Sequence, residues 1–241
     1  MTTQSRHGNY IQRRQTWREF LDFVDGHARA DWMFRGVASP THQLQPKVGW
    51  FCPHGYQELR EGRILASFKR RARMQFGNHG LYEWDWLCLA QHHGLPTRLL
   101  DWTSNPLVAA YFAVTSQPEN DDALVHAVRV NSRMVVDQDQ EPDPFAVPTV
   151  KFVIPSSVVP RIVSQRGFFT VHPDPSVPWQ PNIQNRKLDT FKIPQDSRGF
   201  FRLRLFYLGI DAAHIRADID GLCETLAWQY RDGVAVGGVS Y

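Results

Sequence analysis

From residue 91 to residue 106 the chain reads Gln91-His92-His93-Gly94-Leu95-Pro96-Thr97-Arg98-Leu99-Leu100-Asp101-Trp102-Thr103-Ser104-Asn105-Pro106. Two histidines, an arginine, a carboxylate, a tryptophan and several hydroxyl and amide groups sit there between apolar segments. A plain connector does not need that density of polar chemistry. Thr97 and Arg98 suit phosphate contacts or ordinary turn hydrogen bonding. His92 and His93 are adjacent, so they point in different directions and do not make the i, i+4 pair of a metal site. No metal is expected. Asp101 is the best-placed carboxylate. It either caps a helix or partners Arg98 or Arg35, or else it stabilises positive charge in a cleft walled by Trp102. Upstream, Arg35 interrupts the apolar run Trp32 to Val37. An unpaired buried guanidinium is costly, so Arg35 is either satisfied internally or forms a bidentate phosphate fork. Gly36 beside it would let a ligand approach the backbone closely.

The elements that must hold these residues follow from periodicity. Thr16 to His27, Gln57 to Phe76, Leu81 to His92 and Ile219 to Tyr230 carry helical spacing. Arg98 to Leu100 reads as a short strand that enters a polar turn at Asp101. A buried helix then starts with Pro106 at its first position and Asn105 or Ser104 as N-cap. That arrangement aims a helix N-terminus at the turn, which favours an anion. Further strands are expected at 32–37, 123–130, 150–154, 161–163, 168–171 and 201–206. The cluster Lys69, Arg70, Arg71 and Arg73 reads as a solvated helix face, or as a patch for an anionic partner. Residues 137–148 and 173–198 read as surface excursions, and residues 1–15 as a flexible N-terminus. Helices early and strands late suggest one α+β domain.

Composition excludes several classes. The 241 residues are 42% hydrophobic and 12% aromatic, enough for a sizeable core. The net charge of +3 is too mild to mark the whole chain as a nucleic-acid binder. The 3 cysteines, Cys52, Cys88 and Cys223, are scattered, with no CxxC pair for a zinc knuckle. No apolar stretch is long enough for a membrane span, and the N-terminus lacks a signal-peptide core. The expectation is a cytoplasmic protein, or one delivered into a target cell without a signal peptide, and no membrane partner.

Phe34-Arg35-Gly36, the 91–106 segment and the following Leu107-Val108-Ala109-Ala110-Tyr111-Phe112-Ala113 resemble the FRG domain family, named for its Phe-Arg-Gly motif. Arg161 to His172, Gly209-Ile210-Asp211 and Asp218 to Leu222 resemble its later motifs, so the resemblance covers 16–230. Most members, in bacteria and phages, have no assigned function. The order of elements also resembles, more distantly, the ADP-ribosyltransferase fold. That implies N-terminal helices packed on a split mixed or antiparallel sheet, with NAD as substrate.

By that resemblance Arg35 holds NAD, Thr103 and Ser104 form the hydroxyl-bearing turn, and Gln165 stands where a catalytic glutamate is expected. A glutamine carries no charge to stabilise an oxocarbenium-like ribose. Either another carboxylate serves, Asp101 being the best placed by sequence, or the site binds a nucleotide without this chemistry. The implied catalytic set is Arg35, Asp101 and Gln165. The implied nucleotide-binding set is Arg35, Gly36, Gln91, His92, His93, Thr97, Arg98, Trp102, Thr103, Ser104 and Phe169. The activity so implied is that of an NAD-dependent ADP-ribosyltransferase or NAD glycohydrolase, such as a bacterial toxin or phage-defence effector. It would act on a protein or nucleic-acid acceptor, and an antitoxin could accompany it. The competing reading is a non-enzymatic nucleotide- or nucleic-acid-binding sensor of a defence system.

Overall fold

Residues 99–103, where a turn is expected from residue 101 onward, form a central strand of this protein, buried on both faces except at Asp101. In the computed structural model, which describes residues 3–76, 81–155, 166–181 and 187–235, that strand is β2 (Leu99–Thr103). The other strands are β1 (Trp32–Val37), β3 (Ala123–Arg129), β4 (Lys151–Val153), β5 (Gly167–Val171) and β6 (Leu188–Ile193). They form one sheet in the order β4-β5-β2-β1-β3-β6, with every neighbouring pair antiparallel. An isolated bridge, Val135 to Phe152, is parallel. The helices are α1 (Thr3–Gly26), α2 (Lys47–Phe51), α3 (Glu58–Phe76), α4 (Glu83–His92), α5 (Pro106–Thr115), α6 (Arg198–Tyr207), α7 (Ala212–Arg216) and α8 (Ile219–Asp232). The architecture is α+β. Among the described residues, no helix is long and apolar enough to cross a membrane.

The sheet is built as two halves. Six register pairs join β1 to β3 and five join β2 to β5, whereas β1 and β2 share one, Phe34 to Thr103. On one face, α5 lies on the β1–β3 half. Val108, Ala109, Ala110 and Ala113 pack there with Phe34, Val125 and Ala127, backed by Phe20 of α1 and Phe201 and Leu205 of α6. The same face of the other half is covered by Leu65 of α3 and Trp84 and Leu87 of α4, packed on Leu99, Val153, Phe169 and Val171. The opposite face holds Met33, Leu100, Trp102, Val128 and Phe152 under Leu44 and Trp179.

Several expectations need correction. The N-terminal helix begins at Thr3 instead of Thr16, so residues 3–15 are not a flexible tail; they contain no proline, and Tyr10 packs edge-on against Phe200. The stretch 201–206 is helical, within α6. Its Phe201, Leu203 and Leu205 alternate like a strand, but Phe201 and Leu205 also fit a helix and are the ones that bury. The expected excursion over 173–198 contains β6 at the sheet edge and a Trp179 buried in the core. The expected strand at 161–163 lies outside the described residues.

Candidate functional site at the seam of the sheet

Where β1 and β2 stop pairing, a cleft of about 290 Å³ opens. Its walls include Phe34, Arg35 and Gly36 of β1, Asp101 and Thr103 of β2, Gln91 and His92 of α4, Phe112 of α5, and Phe168 and Phe169 of β5. Asn105 closes the turn after β2. Its side chain accepts from Leu107 N at 3.0 Å, and Pro106 takes the first helical position, both as the sequence implies.

Arg35 occupies the seam. Its Nη1 donates to the Asp101 carbonyl oxygen at 2.6 Å, taking an acceptor on the β2 edge that faces the seam. The Asp101 carboxylate lies 3.9 Å from the same nitrogen, a loose ion pair. Arg35 Nε is buried and has no hydrogen-bond partner. Burial lowers the pKa of this guanidinium, and the charge of Asp101 pushes it back up. Two neutral imidazoles lie beneath it. His126, its register partner on β3, is held down to about 4 by burial and by the Arg35 charge. His172 is held down to about 3 by burial, Arg35 and Arg98. The Nδ1 of His126 and the Nε2 of His172 hydrogen-bond the hydroxyls of Thr190 and Thr170 at 2.9 and 3.0 Å.

The Asp101 side chain is 60% exposed at the mouth of the cleft. It is oriented by a short relay. Thr97 Oγ1 donates to Gln91 Oε1 at 2.8 Å, and Gln91 Nε2 donates to Asp101 Oδ2 at 3.1 Å. Thr97 is buried and borders the relay, not the cleft.

Other residues of the expected nucleotide-binding set have different work. Arg98 is fully buried and turned away from the cleft into a structural cluster. It donates from Nη2 to Glu61, Glu58 and the Tyr56 hydroxyl at 3.1, 3.1 and 2.6 Å, while its backbone N–H donates to Glu61 at 2.8 Å. Burial disfavours its charge, but Glu61 outweighs that and raises its pKa. Arg98 lies just before β2, and its acidic partners come from α3, the helix that covers this half of the sheet. Trp102 borders the cleft along β2, yet its indole is 3% exposed and donates to Thr170 at 3.0 Å on the far face. It cannot offer a stacking surface.

Gly36 is required by packing. A Cβ there would stand 1.9 Å from the Ala109 carbonyl oxygen of α5. Thr103 accepts from Asn105 N at 3.0 Å, and the Ser104 N–H donates to the Arg166 carbonyl. His93 caps α4, exposed and edge-on to His92. Gln165 lies outside the described residues. Lys69 of the basic cluster pairs with Glu83, while Arg70, Arg71 and Arg73 are exposed.

The structure also adds residues that the sequence reading missed. Phe112 and Phe168 are half-buried in the cleft wall, where they can meet a ring. Glu61, on the apolar face of α3 one turn before Leu65, is the charged partner that a buried arginine demands, and its position on that face was a usable signal.

Residues 30–122 match the family model of the FRG domain. No curated protein and no solved structure matches the chain. The matched stretch holds Phe34-Arg35-Gly36, all of the segment from Gln91 to Pro106 and the α5 helix, which together make both sides of the seam. The chain therefore carries an FRG domain over residues 30–122.

Proposed function

We propose that the seam cleft binds a nucleotide, with NAD as the substrate, and that the protein is an ADP-ribosyltransferase-like enzyme acting on a protein or nucleic-acid acceptor. The observation that carries this reading is Arg35. It is a desolvated guanidinium inserted where the sheet splits, with a buried Nε–H left unpartnered at the wall of a cleft. A phosphate or ribose oxygen would supply that partner, and a guanidinium offers the bidentate geometry that an anion needs. Phe112 and Phe168 would flank a ring. Asp101, held by Gln91, would face the positive charge that grows on a ribose as its glycosidic bond breaks. The short β1–β2 ladder within the one antiparallel sheet is compatible with the same reading, since an ADP-ribosyltransferase-like fold implies a split there.

A second reading rests on the glutamine at position 165, where that resemblance expects a carboxylate. On that reading the cleft belongs to a sensor that binds the nucleotide without cleaving it. The Arg35→Lys variant tests the shared premise. It keeps the charge and loses the fork, so NAD affinity measured by calorimetry should fall by roughly tenfold or more while the thermal melt is retained. Unchanged affinity would remove Arg35 from the site. A variant that unfolds would make the arginine structural.

A further inference from the structure

The outward face of α8 is built like an interior. At about 100° per residue, Ile219, Leu222, Cys223, Leu226 and Tyr230 fall within roughly 100° of arc. All five are exposed, Ile219 by 69% and Tyr230 by 74%. The inward face carries Gly221, Thr225, Trp228 and Gln229, all buried. Asp220, Glu224 and Arg231 flank the stripe on one side by the same helical arithmetic; within the chain Glu224 pairs with Arg216 and Arg231 with Asp232. A solvated helix places such charges outward, so an exposed stripe free of them marks an interaction surface.

We propose that this stripe is a homodimer interface, with α8 packed antiparallel on α8 of a second copy across a two-fold axis. The charge pattern selects a second copy as occupant. Two antiparallel helices related by a two-fold axis bring the same flank of each together in reversed order. With the axis near residue 225, Asp220 of one copy faces Arg231 of the other, and the converse pair forms at the far end. The acidic residue in the first turn and the basic one in the last also suit the dipole of each helix. Leu222, Cys223 and Leu226 fill the middle of the stripe, while Ile219 and Tyr230 mark its ends.

The test is the mass of the full chain in solution, by light scattering or sedimentation equilibrium over a range of concentration. The expected species has twice the 27.8 kDa chain mass. Leu226→Glu should convert it to monomer with an unchanged circular dichroism spectrum and melt, since residue 226 is exposed. Asp220→Arg and Arg231→Asp should each weaken the dimer by roughly fivefold, and the double variant should restore it. A chain that remains monomeric at the highest concentrations overturns the proposal. So does a dimer indifferent to Leu226→Glu, or one that the double charge swap fails to restore.

Discussion

Replacing Gly36 with alanine separates two roles for the Phe-Arg-Gly motif. In the structure the added Cβ would lie 1.9 Å from the Ala109 carbonyl oxygen and 2.6 Å from the Ala113 nitrogen. Ordinary contact begins near 3.4 Å, so α5 would have to retreat from β1 by about 1.5 Å (3.4 less 1.9). Both obstacles are backbone atoms, which no rotamer change can move. α5 is also held on its other sides by Phe20, Phe201 and Leu205. Overpacking of this kind costs about 1–3 kcal/mol and more when backbone must shift, so a loss of about 3 kcal/mol is expected. For a chain of this size that corresponds to a melting temperature lower by roughly 6–12 °C. The backbone of Gly36 lies in a region open to any residue, so alanine by itself would be neutral or slightly stabilising in a strand. Thermal melts followed by circular dichroism, with NAD titration on the same samples, give the answer. A variant that melts with the parent but loses the nucleotide would refute the packing argument and return Gly36 to the ligand.

Glu61→Gln strips the buried Arg98 of its main partner and should cost about 3–5 kcal/mol in denaturant unfolding. Glu58→Gln, at a carboxylate that is 57% exposed, should cost less than about 1 kcal/mol; equal losses would mean that the cluster is not organised around Glu61. The histidines beneath Arg35 make stability pH-dependent. Their folded pKa values, about 4 and about 3, lie below the unfolded value of 6.5, so the unfolded chain binds more protons in between. Stability should therefore be fully present above pH 6.5 and fall on acidification towards pH 4, by about 1.4 kcal/mol per pH unit for each histidine. Melts of His126→Gln should show a shallower slope between pH 6 and 4.5, and an unchanged slope would count against burial of a neutral His126.

What the sequence discloses here depends on how local the signal is. Asn105 and Pro106 start α5 where expected, because a cap and a helix-compatible proline act within one turn. The meeting of Arg35 and Asp101 was legible because Arg35 interrupts an apolar strand and Asp101 opens the polar turn after another, and the structure joins them by one hydrogen bond. The role of Arg98 was not legible. Its partner Glu61 lies 37 residues away on α3, a pairing that no local pattern announces. Nor was the Thr97–Gln91–Asp101 relay, which depends on how the end of α4 lies beside β2. The incomplete β1–β2 ladder is a tertiary fact that propensity in either strand does not encode. Phe201 to Phe206 failed for a different reason, since a short alternating apolar run fits both periods and only burial against α5 decides between them.

The central claim is that the seam cleft holds NAD against Arg35 and Asp101. It is tested most directly by calorimetric titration of the chain with NAD, followed by mass analysis of the same samples for released nicotinamide, on the parent protein and on Asp101→Asn. The account predicts saturable binding by both proteins, with nicotinamide released by the parent. The variant should lose turnover with little change in affinity, because its charge matters most as the ribose becomes cationic. Binding without release by the parent would support the sensor reading and remove the catalytic one. Absence of any NAD binding by the parent protein would contradict the account.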